Sequence, residues 1–310
     1  MTKRVWLPYA DQTQALAALG PLPDGIVADY YLPGGELPAS IAEVELIVAH
    51  YMVPPLPTLE RVDEMVNLRA VQLQSAGYDN YLPYLRQGAV LCNAAGVHDT
   101  ATAELAIALA LVNLRRLDTF ARNMTTGNWQ LEFAQSLADR RVLIVGYGRI
   151  GAAIERRLGG FEVASVTRVA RHARTEPWVY PVTELRQRLA EADVVFVITP
   201  LTPDTEGMIG AEELAAMPEG ALLVNVSRGK VVDTDALVDA VRSGHVRASL
   251  DVTDPEPLPA DHPLWTLPGV FISPHGGGQA DAFFPRINRL LREQLVRFAA
   301  GERLANIVAE

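Results

Sequence analysis

Short apolar, β-branched runs alternate along this chain with segments whose apolar residues recur at helical spacing, the pattern of a parallel sheet layered with helices. In the first third the runs are RVWLPY, GIVADYY, VELIVAH, AVQLQSA and AVLCNAA, and residues 11–19 and LERVDEMVN between them predict helices. A long apolar helix is expected over 100–122, with Asp99 or Thr100 as its N-cap. Its apolar residues run most of the way round, which predicts burial between domains or between subunits. A second series begins at RRVLIVGYG and continues through VASVTR, ADVVFVITP, GALLVNVSRG, VRASLDV and GVFISPHG, before a last helix over 282–299. There is no internal repeat, low-complexity tract or flexible linker. Two α/β series joined in this way predict two apposed domains with a ligand cleft between them.

Composition narrows the partners. With 49% apolar and 21% charged residues the chain has a soluble, globular balance. A formal charge of −10 argues against nucleic acid or an anionic membrane as the main partner. The single cysteine, Cys92, excludes an intrachain disulfide framework and fits a reducing compartment. The N-terminal apolar run is too short for a signal peptide, and ATAELAIALALVNL carries Glu104 early, so a cytoplasmic protein is expected. With nothing appended after residue 310, no regulatory domain is expected.

RRVLIVGYGRIG places Gly146, Gly148 and Gly151 in GxGxxG spacing after a buried-strand pattern, and the helix IGAAIERRL and the strand EVASVTR follow. In that βαβ context the motif is a dinucleotide fingerprint. Gly146 serves the tight turn, Gly148 the close approach of backbone to pyrophosphate, and Gly151 the packing of helix on strand. Arg149 and Ile150 open the helix whose N-terminus faces the phosphates. A tight strand-to-helix turn without ligand is the alternative.

An acidic residue is expected about 20 positions on, where it would accept from the ribose hydroxyls. Arg168 and Val169 stand there instead, with Arg171, His172 and Arg174 close behind. A carboxylate repels a 2′-phosphate and an arginine pairs with it, so the stretch points to NADP(H) as the preferred cofactor, with NAD(H) still usable. Arg168 is the first candidate and Arg171 the second; a solvated basic loop is the competing reading, and it is the reading for His172 and Arg174.

Five motifs then occur in order: GYGRIG, VITPLTPDTEGMI, NVSRGKVVDTDAL, DVTDPEPLPADHPLW and ISPHGGG. Together they resemble the D-isomer specific 2-hydroxyacid dehydrogenase family of NAD(P)-dependent oxidoreductases, over nearly the whole chain. Upstream, QLQSAGYDN and CNAAGVHDTATAELAIALAL are similar to the family's substrate-loop and interdomain-helix segments. The resemblance implies an α/β fold with a Rossmann dinucleotide-binding domain (95–277) inserted into a flavodoxin-like substrate domain (1–94 and 278–310). It also implies a homodimer built through the helix near 100–122.

Reduction of a 2-oxo acid needs its carboxylate held, its carbonyl polarised and a proton delivered. Arg228, in SRG at a strand end, suits the first two through its rigid fork of donors. His275, closing FISPH, suits the third, and the family resemblance makes Glu256, in DPEP, its carboxylate partner. Taken singly, each could be an ordinary loop or surface residue. The resemblance also assigns Asp251 to the nicotinamide carboxamide, Thr199, Pro200 and Thr205 to the ribose segment, and Val226, Ser227 and Gly277 to the cofactor's surroundings. The backbone of Ala76 and Gly77 resembles a second carboxylate anchor, and Tyr51, Met52, Val53 and Tyr78 are expected along the substrate wall. No metal is expected.

Two departures stand out. Where family members follow the histidine with an apolar residue, Ala and Gly, this chain has Gly276-Gly277-Gly278. Arg168-Val169-Ala170-Arg171 replaces the acid, as in NADP-preferring glyoxylate/hydroxypyruvate reductases. The leading expectation is therefore an NADPH-preferring reductase of a small 2-oxo acid. The alternatives are a dinucleotide-sensing corepressor without catalysis, and an NAD-linked enzyme of the phosphoglycerate dehydrogenase type. No basic cluster near the SAG turn supports the latter.

Overall fold

The computed structural model describes residues 2–55 and 58–310. The chain forms two compact units, one from 1–98 together with 281–310 and the other from 99–280.

In the first unit, strands β1 (Lys3–Leu7), β2 (Ile26–Tyr30), β3 (Leu46–Val48), β4 (Ala70–Gln72) and β5 (Val90–Cys92) pair in parallel in the order β5-β4-β3-β1-β2. All five fall on the runs marked by the sequence, β1 starting one residue earlier at Lys3. The inner strands are short and fully buried, as apolar runs covered on both faces require. Helix α1 (Gln12–Leu19) begins where Asp11 accepts from the Gln14 N–H at 2.9 Å, a side-chain cap. The expected helix LERVDEMVN is instead a kinked pair of 3-10 turns over Thr58–Glu64, with Arg61 outside helical geometry. A C-terminal helix, Phe283–Ala300, buries Ile287, Leu291, Leu295 and Phe298 at helical spacing against β1 and β3. An unforeseen strand, Ile307–Ala309, then closes the edge antiparallel to β5.

The second unit opens with α2 (Asp99–Leu114) and α3 (Leu117–Met124). The single helix expected over 100–122 is thus broken at Arg116, whose φ of 57° is left-handed. The expected N-cap also differs, because α2 already includes Asp99. Its buried face packs on this unit's own sheet and on α4 (Arg149–Leu158), with Ser249 Oγ donating to the Leu109 carbonyl at 3.0 Å. Burial of α2 therefore needs no second subunit. The sheet contains β6 (Arg141–Val145), β7 (Ser165–Ala170), β8 (Arg174–Thr175), β9 (Trp178–Pro181), β10 (Val194–Val197), β11 (Ala221–Asn225), β12 (Val246–Leu250) and β13 (Val270–Ile272). Their order is β13-β12-β11-β10-β6-β7-β9-β8, parallel except for the β8–β9 hairpin, which the sequence pattern did not reveal. Helices α5 (Leu185–Leu189), α6 (Ala211–Ala216) and α7 (Thr234–Arg242) complete the crossovers, α7 being capped by Asp233. The order reverses between β6 and β10, and ligands of such sheets bind beyond the carboxyl ends of the strands at that point.

Candidate active site

The fingerprint glycines meet the steric demands read from them. Gly146 has a φ of 98°, and a Cβ there would lie 2.7 Å from the Ile198 carbonyl and the Thr199 nitrogen. A side chain would thus force apart the loops that follow β6 and β10. Gly148 caps α4 and opens onto space, with nothing within 4 Å of where a Cβ would stand. Beside them the buried Thr199 Oγ1 has no hydrogen-bond partner among the described residues. A helix N-terminus over open space and an orphaned hydroxyl fit a dinucleotide, whose pyrophosphate and ribose would use both. Arg149 is exposed and pairs with Asp99 at 2.8 Å, while Ile150 packs beneath it. Thr205 Oγ1 is engaged within its own loop, donating to the Pro200 carbonyl at 2.7 Å.

In β7 and just past its end the structure gives the arginines different surroundings. The Arg168 guanidinium forks onto Glu155, its Nε lying 2.8 Å from Oε2. Tyr147 Oη donates to the same carboxylate at 2.5 Å. Burial opposes ionisation of Glu155, yet the bonds from Arg168 and Tyr147 hold it below the usual carboxylate range. Arg168 is thereby committed to a pair inside the unit. Arg171 stands just past the strand in an exposed, loose contact with Asp204 at 3.5 Å. Arg174, expected to be solvated, lies over the Tyr147 ring at 5.5 Å and donates to the Tyr147 carbonyl within the glycine loop. Arg171 and Arg174 are exposed at this end of the strand, whereas Arg168 is half-buried.

Glu155 escaped the sequence reading, although Gly151, Ile154, Glu155 and Leu158 form one i, i+3, i+4, i+7 stripe of α4. That spacing was the available signal.

Three loops at the carboxyl ends of β11, β12 and β13 carry Arg228, Glu256 and His275. His275 Nδ1 lies 2.6 Å from Glu256 Oε1, leaving Nε2 as the ring nitrogen able to exchange a proton elsewhere. The His275 bond, with added attraction from His275 and Arg228, holds Glu256 below the ordinary carboxylate range. The buried Asn225 shapes the SRG loop: its Oδ1 accepts from Ser227 N at 3.0 Å and Oγ at 2.7 Å. Its Nδ2 donates to the Arg228 carbonyl at 3.0 Å, and Val226 is buried next to it. Asn225 was another residue the sequence reading passed over. Asp251, expected on the nicotinamide, accepts from Ser273, Gly276 and Gly277.

In the first unit, the turn at Ala76 and Gly77 is braced through its carbonyls. Asn93 Nδ2 donates to the Ala76 carbonyl and Ser75 Oγ to the Gly77 carbonyl, each at 2.7 Å. The Tyr51 ring, expected as open wall, is stacked on Phe283 at 4.3 Å and beside His98 at 5.5 Å. Met52 is half exposed and holds a left-handed φ of 57°, uncommon for a side chain of its size. No cluster of His, Cys, Asp and Glu able to hold a metal occurs among the described residues.

Residues 107–277 match the family model described as the NAD binding domain of D-isomer specific 2-hydroxyacid dehydrogenases. The chain is 35% identical to a glyoxylate reductase of Korarchaeum cryptofilum over 78% of its own length and 76% of the relative's. It is also 35% identical to the glyoxylate reductase/hydroxypyruvate reductase of Mus musculus, over 86% of each chain. Among solved structures, it is similar to the NADPH-dependent glyoxylate/hydroxypyruvate reductase of Sinorhizobium meliloti in complex with NADP and malonate. That match has 27% identity and a TM-score of 0.81, and covers 100% of this chain and 97% of the other.

Proposed function

This chain belongs to the D-isomer specific 2-hydroxyacid dehydrogenase family, and on that premise we propose that it reduces a small 2-oxo acid of the glyoxylate or hydroxypyruvate type, preferring NADPH. The observation that carries the chemistry is the 2.6 Å contact between His275 and Glu256 beside the Arg228 loop. A nicotinamide cofactor, when bound, supplies the hydride. Arg228 holds the substrate carboxylate and draws charge from its carbonyl oxygen, and His275 Nε2 delivers the proton that this oxygen gains. Glu256 fixes the ring through Nδ1 and stabilises the protonated imidazole. The N–H groups of Ala76 and Gly77 are the proposed backbone anchors for a carboxylate.

NADPH preference rests on Arg171 and Arg174. Both are exposed next to the glycine loop, where a 2′-phosphate would compete for them with the Tyr147 carbonyl and Asp204 and an acid would repel it. The relatives' names favour a two- or three-carbon substrate, and the S. meliloti enzyme is described as NADPH-dependent. A corepressor or a phosphoglycerate-type enzyme gains no support from these features.

A homodimer belongs to the same proposal, with its contact moved along the chain. Met124, Trp129, Leu131 and Phe133 are 81%, 99%, 88% and 104% exposed, a row of large apolar side chains that a second copy would cover. No helix among the described residues is long and apolar enough to cross a membrane, and Cys92 is buried; we place the protein in a reducing cytoplasm.

The test is initial-rate measurement with NADPH and NADH over glyoxylate, hydroxypyruvate, pyruvate and an aromatic 2-oxo acid. Fastest turnover of the two smallest oxygenated acids with NADPH is expected. Absence of turnover with every acid would overturn the reading.

A further inference from the structure

Three consecutive backbone N–H groups, those of His275, Gly276 and Gly277, all end on one residue. His275 N donates to the Asp251 carbonyl at 2.8 Å. Gly276 N donates to Asp251 Oδ1 at 2.7 Å and Gly277 N to Oδ2 at 2.9 Å. Ser273 Oγ adds a fourth bond to Oδ1 at 2.8 Å, and Asp251 itself is only 3% exposed. Successive N–H groups curled in this way make a concave anion site, and here the anion is the chain's own carboxylate.

The loop needs such a restraint. His275 has a φ of 53°, in the left-handed region that residues with a side chain rarely occupy. Histidine enters that region more readily than most side chains, yet the conformation stays uncommon, and neighbouring bonds hold it here. Asp251 is in turn fixed from below, because its own N–H donates to the Asn225 carbonyl at 2.9 Å. On the far side Thr102 Oγ1 donates to the Gly277 carbonyl at 3.1 Å.

The clamp also bears on Gly277 within the glycine run. A Cβ on Gly277 would stand 2.8 Å from Asp251 Oδ2 and 3.4 Å from Thr102 Cγ2. At Gly276 the nearest atom would be Ser273 Oγ, at 3.3 Å. Glycine at 277 lets the carboxylate reach the backbone without any shift of Asp251.

We propose that Asp251 is a positioning residue for His275: its carboxylate gathers the 275–277 backbone and thereby holds the imidazole at Glu256. The catalytic meaning rests on the reductase reading above, whereas the clamp itself does not. Asp251 acts through the loop and leaves hydride and proton transfer to other groups. The replacement that isolates it is Asp251→Asn, which is nearly isosteric but sets an amide donor against a backbone donor. Gly277→Ala is the complementary change, since it disturbs the clamp while keeping the negative charge.

The experiment compares wild type and both variants in two readouts, after thermal unfolding confirms that each is folded. The first is hydrogen exchange of the 275–277 amides, which needs no turnover. The second is kcat, KM for glyoxylate, the pH profile and the NADPH dissociation constant. The clamp predicts at least about tenfold faster exchange of these amides in Asp251→Asn. It also predicts a kcat loss of about tenfold or more in both variants, with NADPH affinity within about threefold of wild type. The acid limb of the pH profile should move as the imidazole loses its carboxylate. Unchanged exchange would overturn the proposal, as would a defect confined to NADPH affinity, which would make Asp251 a cofactor contact. If wild type turns over no 2-oxo acid, the reductase reading fails while exchange still decides whether Asp251 holds the loop. Should Asp251→Asn not fold, Gly277→Ala decides through the same two readouts.

Discussion

Glu256 Oε1 and His275 Nδ1 stand 2.6 Å apart, joining loops that leave the neighbouring strands β12 and β13. The contact gives the carboxylate a folded-state pKa below its ordinary value of 4.5, chiefly through the hydrogen bond from His275. A depressed carboxylate contributes stability that is complete above the unfolded value and disappears as pH falls through the folded one. Glu256→Gln should therefore lower the melting temperature at neutral pH, and its deficit against wild type should close once pH drops below the folded pKa. A deficit that persists in acid would point to packing instead. The same substitution should cut kcat by roughly a hundredfold, because the imidazole loses its stabilising charge.

On the proposed reading, Arg168 within β7 has a structural role and the arginines after the strand a recognition role. Arg168→Ala should cost about 1–2 kcal/mol of stability by stranding the half-buried Glu155, with little change in the ratio of NADPH to NADH affinity. Arg171→Ala combined with Arg174→Ala should weaken NADPH by at least about tenfold and leave NADH nearly unchanged. Isothermal titration with both cofactors checks this. An equal loss for both would remove the 2′-phosphate assignment.

Gly229 sits between the two catalytic loops of β11 and β12. A Cβ there would overlap the Thr253 carbonyl and approach the Asp254 nitrogen to 2.6 Å. Gly229→Ala should destabilise the protein by about 1–3 kcal/mol and raise KM more than it alters cofactor binding, since Arg228 is the next residue. Denaturant titration and steady-state kinetics measure the two effects. A variant with wild-type stability would show that the loops can separate freely.

Much of this was legible in sequence because parallel strands buried on both faces must be continuous apolar runs, as LIV, VVFV and ALLVN are. The fingerprint glycines and the residues at strand carboxyl ends were readable for the same local reasons. Register was not. Counting from Gly151 reached Arg168 but not its surroundings: the next residue's carbonyl, that of Val169, accepts from both Gly146 and Tyr147. That places Arg168 inside the strand, within reach of Glu155. The break at Arg116 carries no proline or glycine to announce it. In LERVDEMVN, Leu59 and Met65 are buried at positions that 3-10 turns satisfy as well as a helix does. The β8–β9 hairpin is two residues deep on one side, too short for any periodicity.

The apolar row after α3 makes its own prediction. Replacing Trp129 and Phe133 together by Glu should shift the protein from dimer to monomer in light scattering, because the row would then repel its copy. Since α2 is packed within its own unit, the monomer should remain folded. A wild-type protein that is already monomeric at micromolar concentration would contradict the proposed contact.

The central claim is that His275 delivers the proton in reduction of a 2-oxo acid. The most direct measurement pairs glyoxylate reduction by His275→Ala with its NADPH dissociation constant. The expected result is a kcat lowered by at least about a thousandfold with NADPH binding within about threefold of wild type. A variant that binds NADPH and turns over glyoxylate at the wild-type rate would contradict the account.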